Sequence, residues 1–177
     1  MGNRTLDLRR VIRDVPDFPK PGILFKDITP VLEDPAAYAA AIAGLRALLD
    51  GVRCDRLAAV ESRGFVFGGP LALQLGVPLA LVRKQGKLPA ATRAVTYALE
   101  YGTATIEAHL DSFRAGEKVV IVDDLLATGG TALAAAQLVH EAGADVAGFL
   151  FLVELEFLGG RAKLEAAAPV FSLVNFA

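Results

Sequence analysis

Residues 119–131, with the sequence VVIVDDLLATGGT, constrain the fold of this chain more than any other segment. The first four are β-branched and apolar, which is typical of a short buried strand in a parallel sheet. Two carboxylates, Asp123 and Asp124, stand at the carboxyl end of this strand, and a small glycine-rich turn follows. Because the alanine-rich residues 132–142 then predict a helix, the segment has the strand–turn–helix order of an α/β protein.

The turn at residues 127–131 (ATGGT), here named the phosphate turn, indicates an anion site. Backbone N–H groups and the positive end of the helix dipole converge at such a turn. Carboxylates accept hydrogen bonds, and a ribose diol offers two adjacent donors. Since ligands of open α/β sheets bind at the carboxyl ends of strands, the segment predicts a ribose 5-phosphate site. Its predicted ligand-binding residues are Asp123, Asp124, Ala127, Thr128, Gly129, Gly130 and Thr131.

Two other interpretations of the acid pair stay open at this point, namely a helix cap and a metal site. The chain lacks G-x-x-x-x-G-K-[ST] and G-x-G-x-x-G, which argues against a P-loop nucleotidase and against a dinucleotide-binding fold.

Helices and strands alternate along the chain, and its 177 residues are one domain's length. This order predicts a single-domain α/β fold, with a mostly parallel twisted sheet flanked by helices. Helices are predicted at residues 5–15, 35–50, 65–75 and 132–142, and strands at 23–28, 56–61, 78–83, 97–101, 103–109, 119–122, 145–155 and 170–175.

Composition excludes several classes of function. The net charge of −2 provides no basic field for a nucleic acid. The longest apolar run, residues 146–153, is too short to cross a membrane, and the first residues lack a secretory h-region. Cys54 is the single cysteine, so the chain has no internal disulfide and no cysteine metal cluster. We therefore expect a cytoplasmic protein.

Two further turns follow predicted strands. Residues 61–65 (ESRGF) repeat the strand–turn–helix order and add Arg63, while residues 83–89 (RKQGKLP) form a turn that we name the cationic turn. A surface ion pair between Glu61 and Arg63, and a solvated basic loop, are the plainer alternatives. Three strand ends, two of them with cations, suit a pyrophosphate better than a single phosphate.

Residues 119–131 resemble the signature of type I phosphoribosyltransferases, which use phosphoribosyl pyrophosphate (PRPP). Further segments resemble the adenine phosphoribosyltransferase family within that superfamily, and together they extend from about residue 6 to the end of the chain. Gln85 is a small departure, since the family tolerates Lys, Pro or Ala there. The matching segments are residues 18–30 (FPKPGILFKDITP), 61–65, 83–89, 97–102 (YALEYG) and 152–164 (LVELEFLGGRAKL).

The resemblance implies the type I phosphoribosyltransferase fold over residues 1–177, with a hood segment at about 1–34 and a mobile loop at about 84–103. It implies a purine-salvage transferase that converts adenine and PRPP to AMP and pyrophosphate. Mg²⁺ would be bound mainly through PRPP and water, with no direct protein ligand. Family members are usually homodimers. The superfamily often has a non-proline cis peptide in the loop at 61–65, so we predict one at Glu61–Ser62 or Ser62–Arg63.

The resemblance also implies roles for individual residues. Glu100 would be the catalytic residue, which protonates or orients N7 of adenine, although a surface glutamate on a strand is the alternative. Tyr101 would cover PRPP. Adenine would be recognised by the backbone of Leu24 and Lys26 and walled by Phe25. The departing pyrophosphate would be neutralised by Arg63, Arg83 and Lys87.

Three competing functions follow from the same residues. A PRPP-sensing regulator that binds nucleic acid usually has a basic surface or an added domain, and this chain has neither. An enzyme for hypoxanthine, guanine or xanthine fits the FPKPG and YALEYG segments less well. A purely structural domain would not explain why several turns of the phosphate-binding type follow its strands.

Overall fold

The computed structural model describes residues 6–98 and 102–177. The chain forms two compact units, residues 1–44 and 45–177. In the first unit, β1 and β2 pair as an antiparallel ribbon in which Arg13 lies opposite Asp27. The elements that begin in this unit are α1 (Leu8–Val11), β1 (Arg13–Pro16), β2 (Leu24–Asp27), α2 (Thr29–Glu33) and α3 (Pro35–Leu48).

The helix predicted at residues 5–15 is wrong over its second half, where β1 forms instead. Val15 precedes Pro16, and a residue before proline is disfavoured in the helical conformation. Each β1 residue also has a partner in β2, so the backbone groups that a longer helix would have hydrogen-bonded are hydrogen-bonded within the ribbon instead. The short helix α2 was not predicted.

The second unit is built on a seven-stranded sheet in the order β5-β6-β4-β3-β7-β8-β9. Strands β4, β3, β7, β8 and β9 are parallel neighbours, while β6 pairs antiparallel with β4 and with β5. The predicted α/β class and mostly parallel sheet are confirmed. The strands are β3 (Arg56–Val60), β4 (Leu79–Lys84), β5 (Thr92–Ala98), β6 (Thr103–His109), β7 (Lys118–Leu126), β8 (Asp145–Leu155) and β9 (Val170–Phe176).

Helices accompany this sheet, and those predicted at residues 65–75 and 132–142 are confirmed, with starts two residues earlier. They are α4 (Arg63–Leu75), α5 (Gly130–Glu141) and α6 (Gly160–Glu165), with a 3-10 turn at Glu156–Leu158. No helix among the described residues is long and apolar enough to cross a membrane.

Strand β7 is longer than the predicted 119–122. It includes Asp123 and Asp124 and ends at Leu126, because β8 continues to pair with it as far as Glu154. Its other neighbour, β3, pairs only up to Val122. The two acids therefore lie on a strand, beyond the point where one of its neighbours has ended.

The strand predicted at 97–101 starts earlier than predicted, because β5 occupies Thr92–Ala98. Every residue of β5 pairs with β6, from Thr92 opposite His109 to Ala98 opposite Thr103. Part of the loop predicted at 84–103 is therefore a strand, and residues 99–101 lie outside the described part of the chain.

The ion pair of Arg56 and Glu117 supports the amino ends of the central strands. Two hydrogen bonds of 2.8 and 3.0 Å join the guanidinium to the carboxylate. The side chains are only 11% and 16% exposed, so water screens the pair weakly. Hydrogen bonding to Arg56 lowers the pKa of Glu117, so the pair contributes stability above the ordinary glutamate pKa and loses it as the pH falls.

We predict that Glu117→Gln lowers the free energy of unfolding at pH 7 by about 2 kcal/mol, because it leaves Arg56 without its countercharge. Urea denaturation at pH 7 and in acid checks this, and the difference from wild type should shrink in acid. Asp145→Asn is the matched control, since Asp145 pairs with Lys118 at an exposed site and should matter little. Equal losses in both variants would contradict the prediction.

Candidate active site

A cavity of about 430 Å³ lies at the carboxyl ends of β3, β4 and β7 in the unit of residues 45–177. Strands β5 and β6 contribute to its wall. Five of the predicted site residues line it, which are Arg63, Arg83, Asp123, Asp124 and Thr131. The remaining lining residues are Val60, Glu61, Ser62, Val82, Lys84, Tyr97, Ala104, Ile106 and Leu125.

A second cavity of about 80 Å³ is formed by the phosphate turn and its surroundings. All five predicted phosphate-binding residues, 127–131, line it. The two cavities share Asp123, Leu125 and Thr131. The acid pair and the phosphate turn are therefore side by side, as one ligand with a ribose and a 5′-phosphate requires.

The phosphate turn has its shape because of glycine. Gly129 caps α5 with a φ of +81°, a left-handed conformation that glycine adopts without strain. No side chain caps the helix there, so the first N–H groups of α5 remain available to an anion. Gly160 permits α6 to lie against the turn, since a Cβ at that position would be 2.2 Å from the Ala127 carbonyl oxygen.

The acid pair is held in two ways. The Asp124 N–H donates to Asp123 Oδ1 at 2.9 Å, and Asp124 Oδ2 pairs with Arg63 Nε at 2.8 Å. Asp124 is only 5% exposed. Burial, and then the charge of Asp124, raise the pKa of Asp123 well above its ordinary value. Burial also raises the pKa of Asp124, although Arg63 opposes the change.

The loop at 61–65 has the predicted cis peptide, between Glu61 and Ser62. Helix α4 begins at Arg63, and Gly64 allows it to approach β7 closely, because a Cβ there would be 2.7 Å from the Val122 carbonyl oxygen. This approach brings Arg63 to the acid pair. Gly64 was not predicted to matter, although a glycine in the first turn of a helix was a usable signal.

The ion pair considered between Glu61 and Arg63 is wrong, since each has a partner on another strand. Glu61 forms two hydrogen bonds with Arg83, at 3.1 and 3.2 Å, and accepts the Lys84 N–H at 3.1 Å. The hydrogen bonds from Arg83 lower the pKa of Glu61. Both arginines of the cavity are thus held by carboxylates, Arg83 by Glu61 and Arg63 by Asp124.

The structure does not bring every predicted cation into the cavity. Lys87 is exposed and lies outside the lining of both cavities. Its carbonyl accepts a hydrogen bond from Arg83 at 2.9 Å. Tyr97 was missed by the sequence analysis; its hydroxyl is 2.9 Å from that of Thr131, so β5 contacts the phosphate turn. In the sequence, the one signal for Tyr97 was its place at the start of the YALEYG segment.

The predicted adenine-binding residues belong to the unit of residues 1–44. Leu24 is 48% exposed at the start of β2. The Phe25 ring lies edge-on to Phe18 at 5.1 Å, and Lys26 pairs with Asp14. Glu100 and Tyr101, the predicted catalytic and covering residues, lie outside the described residues.

Among residues 6–98 and 102–177, no group of three or more His, Cys, Asp or Glu side chains could hold a metal ion. The acid pair alone is a hard oxygen donor set. It suits Mg²⁺ that arrives with a phosphate substrate, because this ion commonly binds through one or two carboxylates plus substrate oxygens.

Comparison with known proteins agrees with this geometry. Residues 32–171 match the model of the phosphoribosyl transferase domain. An adenine phosphoribosyltransferase of Sorangium cellulosum is 59% identical over 174 residues, which cover 96% of this chain and 87% of that protein.

Solved structures give the same result. The adenine phosphoribosyltransferase of Thermoanaerobacter pseudethanolicus has a TM-score of 0.92 at 53% identity, covering 96% of this chain and 98% of that one. The Saccharomyces cerevisiae enzyme, complexed with an imino-altritol bisphosphate and adenine, has a TM-score of 0.89 at 42% identity, covering 94% and 96%. Identity of this extent over nearly the whole chain means that this protein belongs to the adenine phosphoribosyltransferase family.

Proposed function

We propose that this chain transfers the phosphoribosyl group of PRPP to adenine, giving AMP and pyrophosphate in purine salvage. One observation carries the proposal: an acid pair, a phosphate turn and two arginines meet at the ends of β3, β4 and β7. Its relatives are named adenine phosphoribosyltransferases, and the yeast structure contains adenine. The choice of adenine rests on these relatives, while the PRPP site rests on the geometry.

The site can hold PRPP in three parts. The phosphate turn receives the 5′-phosphate, and Asp123 and Asp124 accept hydrogen bonds from the ribose hydroxyls. The pyrophosphate then meets Arg63 and Arg83, whose guanidinium groups are already paired with Asp124 and Glu61. Lys87 can join them if its long side chain turns towards the cavity.

Catalysis follows from charge. As the bond from C1′ to pyrophosphate breaks, positive charge develops on the ribosyl carbon and negative charge on the leaving group. The arginines stabilise the leaving group, and the nearby acid pair favours the ribosyl cation. Water must be kept from this cation, because hydrolysis would compete with transfer to N9 of adenine. Tyr101 is proposed to cover the site for this reason.

Mg²⁺ is proposed as the cofactor, bound mainly through PRPP oxygens and water, with no direct protein ligand. It would supply further positive charge to the pyrophosphate. A homodimer is proposed from the family resemblance, and a cytoplasmic location from the composition of the sequence.

The first test is a pyrophosphate-release assay with PRPP and each purine base in turn. Adenine should be converted to AMP, while hypoxanthine and guanine should react poorly. Comparable turnover of hypoxanthine would contradict the choice of base. Absence of turnover with every base would contradict the transferase activity itself.

The acid pair gives the second prediction. Asp123→Asn and Asp124→Asn should each lower kcat/KM for PRPP about ten- to hundredfold, because a charged acceptor for the ribose diol becomes a neutral amide. The KM for adenine should be nearly unchanged. Steady-state kinetics with each substrate varied separately checks this, and wild-type values in both variants would exclude the ribose assignment.

Stability provides the control for Asp123→Asn. The folded protein holds the Asp123 proton more tightly than the unfolded chain does, so this residue destabilises the fold as the pH rises through its raised pKa. Asp123→Asn should therefore raise the free energy of unfolding at pH 7. Loss of activity together with a gain in stability excludes misfolding as the cause.

Glu100 is proposed as the group that protonates or orients N7 of adenine. Glu100→Leu should lower kcat by about 10²–10⁴, the usual contribution of a proton-transfer group. Glu100→Gln keeps a hydrogen-bond donor and should retain part of the rate. The measurement is single-turnover formation of AMP with PRPP affinity followed in parallel. A wild-type rate in Glu100→Leu would mean that this residue has no chemical role.

A further inference from the structure

Glu107 on β6 is a buried acid that the reaction described above does not use. It is only 4% exposed, a degree of burial that a carboxylate rarely has without compensation. Asp124 and Glu154, the other buried acids of the described chain, are paired with Arg63 and Arg161. The hydrogen bonds recorded for Glu107 come instead from backbone N–H groups and one hydroxyl.

These donors belong to the cationic turn and the start of β5. Glu107 Oε1 accepts the N–H groups of Lys87 and Leu88, both at 3.1 Å, and Oε2 accepts the Thr92 hydroxyl at 3.3 Å. Burial raises the pKa of Glu107, but hydrogen bonds from Leu88, Gly86, Lys87 and Thr92 outweigh it, and the pKa lies below its ordinary value. The carboxylate is therefore charged.

Successive N–H groups that converge on one point form an anion-binding nest. In the cationic turn this nest is filled from within the protein, by Glu107. The backbone of the turn is consequently not the group that receives a substrate phosphate, unlike the phosphate turn. Its contribution to the site must come through its side chains.

The bound carboxylate is connected to the cavity by a short path. Glu107 fixes the Lys87 N–H, and the Lys87 carbonyl accepts a hydrogen bond from Arg83 Nη1 at 2.9 Å. Arg83 is also the direct cross-strand partner of Glu107, and its guanidinium lines the cavity. One buried charge thus sets the position of the Lys87 backbone and, through it, of Arg83 at the end of β4.

We propose that Glu107 is a positioning residue for the pyrophosphate half of the site, where it holds the cationic turn so that Arg83 stays at the cavity and faces the leaving group. The proposal rests on the proposed function and adds a residue to it. It predicts that weakening Glu107 affects pyrophosphate recognition and leaves the ribose 5-phosphate half unchanged.

The test compares Glu107→Gln with Glu117→Gln, the same chemical change at a half-buried glutamate of the opposite sheet end. Calorimetry measures binding of magnesium pyrophosphate and, separately, of ribose 5-phosphate. Glu107→Gln should weaken pyrophosphate binding, and raise the KM for PRPP, by about tenfold or more, since the two N–H bonds to Oε1 lose their charge assistance and the amide nitrogen cannot accept the hydrogen bond of the Thr92 hydroxyl. Its ribose 5-phosphate affinity and its KM for adenine should change less than about twofold.

Glu117→Gln should lower the unfolding midpoint while leaving both affinities at wild-type values. Thr92→Val removes only the hydrogen bond from the Thr92 hydroxyl to Glu107 Oε2, and it should weaken pyrophosphate binding by about twofold to threefold. This variant replaces Glu107→Gln in the test if Glu107→Gln does not fold. Unchanged pyrophosphate affinity in the folded variants would overturn the proposal. Equal weakening of ribose 5-phosphate would overturn it too, since that is the effect of general loosening.

Binding and turnover separate this proposal from the proposed function. Wild-type protein that binds pyrophosphate but forms no AMP would contradict the proposed function, and the comparison of variants would still decide the role of Glu107. Wild-type protein that does not bind pyrophosphate at all would overturn the role of Glu107.

Discussion

The unequal length of neighbouring strands underlies the whole site. Strand β7 continues past the end of β3 because β8 keeps pairing with it, and this leaves one side of Asp123 and Asp124 open. Into that space comes Arg63 at the start of α4. A strand with neighbours of equal length on both sides would have buried the acids against a backbone. The cavity exists because pairing stops on one side only.

Close backbone approaches then fix the parts that surround the acids. Gly64 brings α4 to within contact of the Val122 carbonyl, and Gly160 does the same for α6 and the Ala127 carbonyl. A side chain at either position would collide with backbone, which cannot move aside without changing the adjoining turn. Rigid elements on two sides hold the acids and the phosphate turn at a constant separation, as a substrate of fixed length requires.

Local patterns carried most of what the sequence could predict. The strand, acids and glycine turn of residues 119–131 are contiguous, so their order alone indicates a ribose-phosphate site, and the family resemblance supplied the cis peptide at Glu61. Contacts between segments that are distant in the sequence could not be predicted. The partners of Arg63 and Arg83 and the hydrogen bonds of Glu107 depend on strand order, which no local pattern encodes. The first residues of β5, 92–96, were missed for the same reason, since pairing with β6 overrides their polar composition.

The carboxylates that hold the two arginines have a consequence for the end of the catalytic cycle. Pyrophosphate competes with Asp124 for Arg63 and with Glu61 for Arg83, so part of its attraction to the site is offset by weakening those pairs. When it departs, each arginine still has a carboxylate partner. The same acids therefore weaken the hold on a highly charged product, and a site with bare arginines would release it more slowly.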